Sequence, residues 1–254
     1  MKNDRADYIL QELDKKGSVK VKELSKQLQC SEVTIRNDVQ KLEERGLLRR
    51  THGGAVRVKE QLMLSIDPGN IYKNVEQKQR IARQALIYIK DQDTIILDDS
   101  SVNYYLALLL KKENSLHLVV ITNSFAVAGV LNDCVHITLF MIGGQLGGKL
   151  PAAMGEIAQE TIRKFRADKA FISAHGISFD AGITSIGSPQ MQVKRAILDV
   201  VDEVYVLVDS SKFGGGYVMV VCPLDRVSRI ITDTDLAEEF IQAAQDTGVP
   251  LDVV

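Results

Sequence analysis

Positions 31–45 read SEVTIRNDVQKLEER, and the spacing predicts one helix with two unlike faces. At about 100° per residue, Ile35, Val39 and Leu42 fall within a narrow arc and should pack inward. The opposite arc carries Val33, Asn37, Gln40 and Lys41, flanked by Arg36 and Thr34. Ser31 is a good N-cap, because its hydroxyl can accept from a free amide of the first turn, and Gly46 follows as the residue past the end. Upstream, Arg5–Lys15 carries Ile9, Leu10 and Leu13 on one face and is ended by Gly17. Val21–Gln29 turns Leu24 and Leu28 inward. Downstream, LLRRTHGGAVRV at 47–58 reads as two strand-like runs around Gly53 and Gly54, a hairpin.

Three short helices, a tight turn and a hairpin make a winged helix-turn-helix, expected over residues 1–57. Such a fold sets the N-terminal part of its reading helix against base edges. Arg36 could donate two hydrogen bonds to a guanine, Asn37 could read an adenine, and Val33 could touch a thymine methyl. Lys41, Arg49, Arg50 and Arg57 suit phosphates or a narrow minor groove. The partner implied is double-stranded operator DNA. Two plainer readings stand beside this one: Arg36 as a solvated residue paired with Glu32 or Gln40, and the head as a protein-interaction module.

Charge agrees with a polyanion partner for the head alone. Residues 1–60 hold 14 Lys and Arg against 10 Asp and Glu, and the rest of the 254-residue chain holds 17 against 23. Chance could produce such an asymmetry, so it supports the reading without carrying it. Cys30, Cys134 and Cys222 are far apart, and the four histidines show no metal-ligand spacing. Neither a disulfide framework nor a metal site is expected, and a reducing compartment fits. The N-terminus MKNDRADYIL lacks the apolar core of a signal peptide, and no apolar run approaches the ~20 residues of a membrane span. The expected location is the cytoplasm, with no membrane partner.

Residues 58–74 mix polar residues with Pro68 and Gly69 and are expected to link the head to a second domain over 75–254. Helical spacing resumes from Glu76 to Ile89. Strand candidates are then Thr94–Leu97, Leu118–Ile121, Ile137–Ile142, Ala170–Ser173, Val204–Val208 and Arg229–Ile231. Helical patterns lie between most of them, at Val102–Leu110, Ser124–Leu131, Glu156–Phe165, Gln190–Val201 and Leu236–Ala244. Near-continuous apolar strands spaced by helices mean a mostly parallel sheet covered on both faces. The fold class is therefore α/β, a winged helix-turn-helix followed by a doubly wound, mostly parallel α/β domain.

Nearly every predicted strand runs into a polar or glycine-bearing end: Asp98 to Ser101, Thr122 to Ser124, Gly143-Gly144, Ala174-His175-Gly176, and Asp209 to Lys212. In an open parallel sheet, ligands bind outside the carboxyl ends of the strands, and helix N-termini there favour a phosphate. Ser100, Ser101, Thr122 and Ser124 could supply hydroxyls, Lys194 or Lys212 could neutralise an anion, and Asp98 and Asn123 could accept from sugar hydroxyls. In any single loop, Ser or Thr could equally be a helix cap.

At this point the chain resembles the DeoR family of bacterial regulators. The head resembles it through Arg5, Ile9, Leu13, SEVTIRNDV at 31–39 and GLLRRTHGGA at 46–55, with Ser31, Thr34, Arg36 and Asp38 on motif positions. Position 37 is often Arg or Lys in that family, and here it is Asn37. The body resembles the family's sensor domain, which is similar to a sugar-phosphate isomerase fold, through TNS at 122–124, GG at 143–144, DKAF at 168–171, Lys194-Arg195, DSSKFG at 209–214 and ITD at 231–233. Two departures concern the ligand. Ser100 and Val102 stand where the family often has a Gly-Thr-Thr-like run, and His175 stands where it often has Gly-Ala or Ala-Asn forms. His175 could titrate near neutral pH or be a satisfied strand-end residue. The expected DNA contacts are Ser31, Val33, Thr34, Arg36, Asn37, Lys41, Arg49, Arg50, His52 and Arg57. The expected effector contacts are Asp98, Ser100, Ser101, Thr122, Asn123, Ser124, Gly144, His175, Gly176, Lys194 and Lys212.

The resemblance implies a repressor of a sugar-utilisation operon; the strand-end loops add release by a small phosphorylated sugar, no cofactor, metal or catalytic residue is expected, and heads on paired half-sites call for a homo-oligomer, dimer or tetramer. The competing class is an isomerase-like enzyme with an accessory head. Isomerisation needs a placed general base, and Asp98, Asp99 and Asp209 are carboxylates that could serve.

Overall fold

The computed structural model describes residues 5–6, 8–10, 12–13, 18–44, 48–51, 53–56, 71, 73–147, 151–215 and 218–254. The chain divides into two compact units, 1–61 and 62–254. Most of the expected 58–74 linker lies outside the described residues.

In the first unit the described residues between 5 and 13 are helical. Helices Val21–Gln27 and Glu32–Glu44 follow. Three short strands, β1 (Ser18–Lys20), β2 (Arg49–Thr51) and β3 (Gly54–Val56), form an antiparallel sheet in the order β1-β3-β2. The hairpin β2–β3 is the expected wing, and β1 adds a strand that periodicity did not show. Gly54 permits this pairing: a Cβ there would lie 1.9 Å from the Val19 carbonyl oxygen. Ile9, Leu13, Leu24, Ile35, Val39 and Leu42 close one apolar core with Val19 and Ala55 from the sheet.

The second unit is built on a seven-stranded sheet, parallel throughout. Its strands are β4 (Thr94–Leu97), β5 (Leu118–Thr122), β6 (Ile137–Met141), β9 (Ala167–Ile172), β12 (Val201–Leu207), β14 (Arg229–Thr232) and β15 (Leu251–Val253). Between them run two small antiparallel pieces, β7 (Gln145–Gly147) with β8 (Ala152–Met154), and β10 (Gly176–Ser178) with β11 (Gly182–Ser185) and β13 (Met219–Cys222). Successive strand residues face opposite ways. Ile95, Leu97, Val120, Phe171 and Leu207 therefore join a core under helices Val75–Leu86, Ser101–Leu110 and Phe125–Leu131. Ile96, Ile121, Ala170, Ile172 and Val206 join a second core under Gly155–Ile162 and Ser188–Leu198. Two buried faces explain why the strands read as continuous apolar runs.

The strand order is β15-β14-β12-β9-β4-β5-β6. The chain thus winds from β4 outward through β5 to β6, returns to β9 on the other side of β4, and continues to β15. The winding reverses between β4 and β9, which makes their carboxyl ends the switch point of the sheet. The helix expected to reach Val201 stops at Leu198, and Val201 opens β12. The last helix runs over Glu238–Thr247 and ends on Gly248, whose φ of 71° suits a left-handed cap. β15, not foreseen, is fastened by Asp252, which accepts from Tyr88 at 2.5 Å, Gln84 at 2.9 Å and Arg229 at 2.5 Å.

Candidate functional site

The head presents the face expected of it. Ser31 accepts from the Thr34 amide at 3.1 Å and shares a 2.9 Å hydrogen bond with the Thr34 hydroxyl, so both polar groups start the helix. Ile35, Val39 and Leu42 are buried, while Val33, Arg36, Asn37 and Lys41 are exposed. An exposed Val33 flanked by polar groups suits contact with a thymine methyl. Arg36 pairs with Glu32 at 3.3 Å, an exposed pair weak enough for DNA to replace. Asp38 turns away from that face and accepts from Arg5 at 2.9 Å, locking the reading helix to the first helix. The backbone of Arg49 and Arg50 lies in β2. His52 and Arg57 lie outside the described residues.

In the second unit a cleft open to solvent lies at the switch point, the place where ligands of open parallel sheets bind. Its lining comes from the ends of β4 (Asp99 to Val102), β9 (Ser173 to His175) and β12 (Asp209, Lys212), with Gln190 and Lys194 from one helix and Lys78 from another. Of the eleven expected effector residues, Ser100, Ser101, His175, Lys194 and Lys212 line it directly.

Asp98 lies immediately behind the cleft and is fully buried. Its carboxylate accepts from Ser100 N at 3.0 Å, Asn103 Nδ2 at 2.8 Å and Ser173 N at 2.8 Å, and it is ion-paired with Lys194. Burial pushes this carboxyl up, but the Lys194 ammonium and the donated hydrogen bonds outweigh it and hold Asp98 below the usual carboxylate range. Burial, then the adjacent Asp98 charge, pushes Asp99 up. Asp98 thus fastens β4, β9 and the Lys194 helix together, and Asp99 faces the cleft.

Thr122, Asn123, Ser124, Gly144 and Gly176 do not line this cleft. β5 and β6 lie one and two strands beyond β4, at about 4.8 Å per strand. Thr122 donates to the Leu97 carbonyl at 2.7 Å and accepts from Ser124 N. Ser124 caps helix Phe125–Leu131 through Val127 N. Asn123 donates to the Ala153 carbonyl at 3.1 Å, holding the β7–β8 hairpin on the sheet. Gly144 has a φ of 155°, and a Cβ there would lie 2.6 Å from the Met154 carbonyl oxygen, so it admits the same hairpin. Gly176 opens β10 opposite Thr184. Ser100 is also a cap, accepting from Asn103 N at 3.3 Å, although it lies at the cleft.

Lys78, Gln190 and Asp209 were not among the expected effector residues, and the cleft brings all three in. Lys78 is buried. Burial pushes its ammonium down to about 8, Asp209 pulls it back, and Lys212 and Lys73 add to the depression. Burial, then the charges of Lys194 and Lys212, pushes His175 down to about 4, so its imidazole is neutral near pH 7. Its Nδ1 lies 3.4 Å from the Ser185 hydroxyl. The cleft can therefore neutralise an anion with Lys78, Lys212 and the N-terminus of helix Ser101–Leu110, and can accept hydroxyl hydrogens at Asp99 and Asp209. Among the described residues no cluster could hold a metal ion, and no helix is long and apolar enough to cross a membrane.

The DeoR-like helix-turn-helix domain model matches residues 5–61, and the DeoR C terminal sensor domain model matches 73–234. The chain is 32% identical over 253 residues to the uncharacterized HTH-type transcriptional regulator YulB of Bacillus subtilis (strain 168), covering 98% of this chain and 97% of that protein. It is 33% identical over 247 residues to the lactose phosphotransferase system repressor of Lactococcus lactis subsp. lactis, covering 95% and 94%. Among solved structures, ribose 5-phosphate isomerase A of Methanocaldococcus jannaschii matches 55% of each chain at 20% identity and a TM-score of 0.41, too loosely to carry an argument.

Proposed function

The chain belongs to the DeoR family of helix-turn-helix transcriptional regulators, and we propose that it represses a sugar-utilisation operon and leaves its operator when a phosphorylated sugar fills the cleft between β4 and β9. The observation that carries this reading is the charge pattern of the cleft: Lys78 and Lys212 stand with Asp99 and Asp209 around one small volume. Cations beside a helix N-terminus suit a phosphate, and carboxylates suit the hydroxyls of a sugar. The Lactococcus relative's name, a repressor of a lactose phosphotransferase system, agrees with a sugar-linked role. An isomerase with an accessory head gives way, because both matched domains are those of regulators.

Release is a linkage between two sites. Two copies place two heads on paired half-sites about one helical turn apart, or a multiple of it. Ligand in the cleft favours an arrangement of the copies that no longer fits both half-sites. A coupling of about 1–3 kcal/mol changes occupancy enough to switch a promoter. The site of action is the cytoplasm, where operator and phosphorylated sugar meet. The test is an operator-release titration at stated salt with a panel of sugar phosphates. Lys212→Ala should keep operator affinity and lose the response. A folded Lys212→Ala protein that no longer binds DNA would refute this division of labour.

A further inference from the structure

Gln190 is the third residue of helix Ser188–Leu198 and is 3% exposed, yet it lines the cleft. Its Oε1 has no hydrogen-bond partner among the described residues. Several other polar groups at or next to the cleft are engaged. Lys194, one turn along the helix, is bound to Asp98. Ser100 accepts from Asn103 N, and the Ser185 hydroxyl faces His175. A buried carbonyl oxygen without a donor weakens the fold, so an amide held in this way at a ligand surface is the mark of a partner that arrives from the cleft.

The chemistry of that partner follows from the amide. A carboxamide offers an acceptor at one end and donors at the other, and the two ends exchange by a half-turn. Phosphate oxygens only accept and an ammonium only donates. A hydroxyl does both, and matches the amide in either orientation. The cationic groups, Lys78 and Lys212, come from a different helix and from the β12 end.

We propose that Gln190 is a specificity-determining residue, whose side-chain amide reads a hydroxyl of the ligand's sugar moiety while the lysines hold its anionic group. The proposal rests on the reading of the cleft as the effector site, and it adds which residue tells one sugar from another.

The experiment uses the full chain and the apolar near-isostere Gln190→Met. Affinities are measured by calorimetry for glucose 6-phosphate, fructose 6-phosphate, ribose 5-phosphate and inorganic phosphate. Melting temperatures are measured without ligand. Gln190→Met should weaken the tightest sugar phosphate about 10- to 30-fold and leave inorganic phosphate within about two-fold. The free variant should melt at or above the wild-type temperature, since an unsatisfied buried acceptor has been removed. Gln190→Ala removes the same amide and carries the affinity readouts if Gln190→Met does not fold. Unchanged sugar-phosphate affinity, equal loss for sugar phosphate and inorganic phosphate, a lower melting temperature for free Gln190→Met, or failure of both variants to fold overturns the proposal. A wild-type chain that binds none of the sugar phosphates overturns the effector reading as well, and is seen in the wild-type arm alone.

Discussion

Replacing Lys194 by Met tests whether the Asp98–Lys194 pair is the frame of the cleft. Both side chains are buried. In the variant the Asp98 carboxylate keeps its donors from Ser100, Asn103 and Ser173 but loses its counter-charge. Breaking a buried pair from one side costs about 3–5 kcal/mol, or roughly 6–20 °C of melting temperature in a unit of this size. The pH dependence has a definite sign. In the wild type the folded-state Asp98 lies below its unfolded value of ~3.9, so the pair's stabilisation is present above that value and is lost as pH falls through the lower, folded one. Without Lys194, burial dominates and Asp98 should rise above ~3.9. The penalty then grows with pH, and the deficit should be smaller at pH 5 than at pH 7.5. Urea unfolding at the two pH values measures it, and Asp98→Asn with Lys194→Met should recover most of the loss. A single variant within about 1 kcal/mol of wild type at pH 7.5, or a deficit equal at both pH values, would refute the reasoning.

Further outcomes concern other groups. His175, at about 4 in the folded chain against 6.5 unfolded, favours the fold in its neutral form; it costs stability as pH falls from 6.5 towards 4. Its ring proton shifts should therefore be flat between pH 8 and about 5.5, and His175→Gln should lessen acid sensitivity below 6.5; a midpoint near neutrality would contradict its burial. Ser31→Ala should lower the stability of the head by about 1 kcal/mol in thermal unfolding, with no change meaning that the 3.1 Å cap bond to Thr34 contributes nothing. Asn37→Lys should steepen the log–log salt dependence of operator binding by about one unit per protomer, and an unaltered slope would place residue 37 away from phosphate.

The architecture was legible because its signals are local. Caps, apolar arcs and continuous buried strands lie within windows of about ten residues. What escaped was non-local. β1 is three residues long and is defined by its pairing with β3, and β15 by pairing with β14. The cleft was legible as a set of polar strand ends, but not as a selection among them. Strand order decides which ends meet, and the order is set by long-range packing, so the loops after β5 and β6 were expected at the site yet serve the β7–β8 hairpin instead. Lys78 and Gln190 were hidden inside helices. A signal was present for both. Lys78 shares a 78, 81, 82, 85 stripe with Ile81, Ala82 and Ala85, and Gln190 begins a 190, 193, 194, 197 stripe, all buried. A polar residue on an otherwise inward stripe marks a helix face turned towards a ligand or a buried partner.

The division between Asp98 and its neighbours matters for anyone wishing to retarget this molecule as a biosensor. On two of the segments that line the cleft, one side chain is tied into the scaffold and its neighbour is not: Asp98 is ion-paired where Asp99 faces the cleft, and Lys194 is bound to Asp98 where Gln190, one helical turn away, lines the cleft. A combinatorial library confined to Ser101, His175 and Gln190 varies the chemistry offered to the cleft while leaving the Asp98 bonds and the core residue Val102 intact. Under the proposed reading of the cleft, new response profiles are then selected by substitution at three codons, with the Asp98–Lys194 frame left in place.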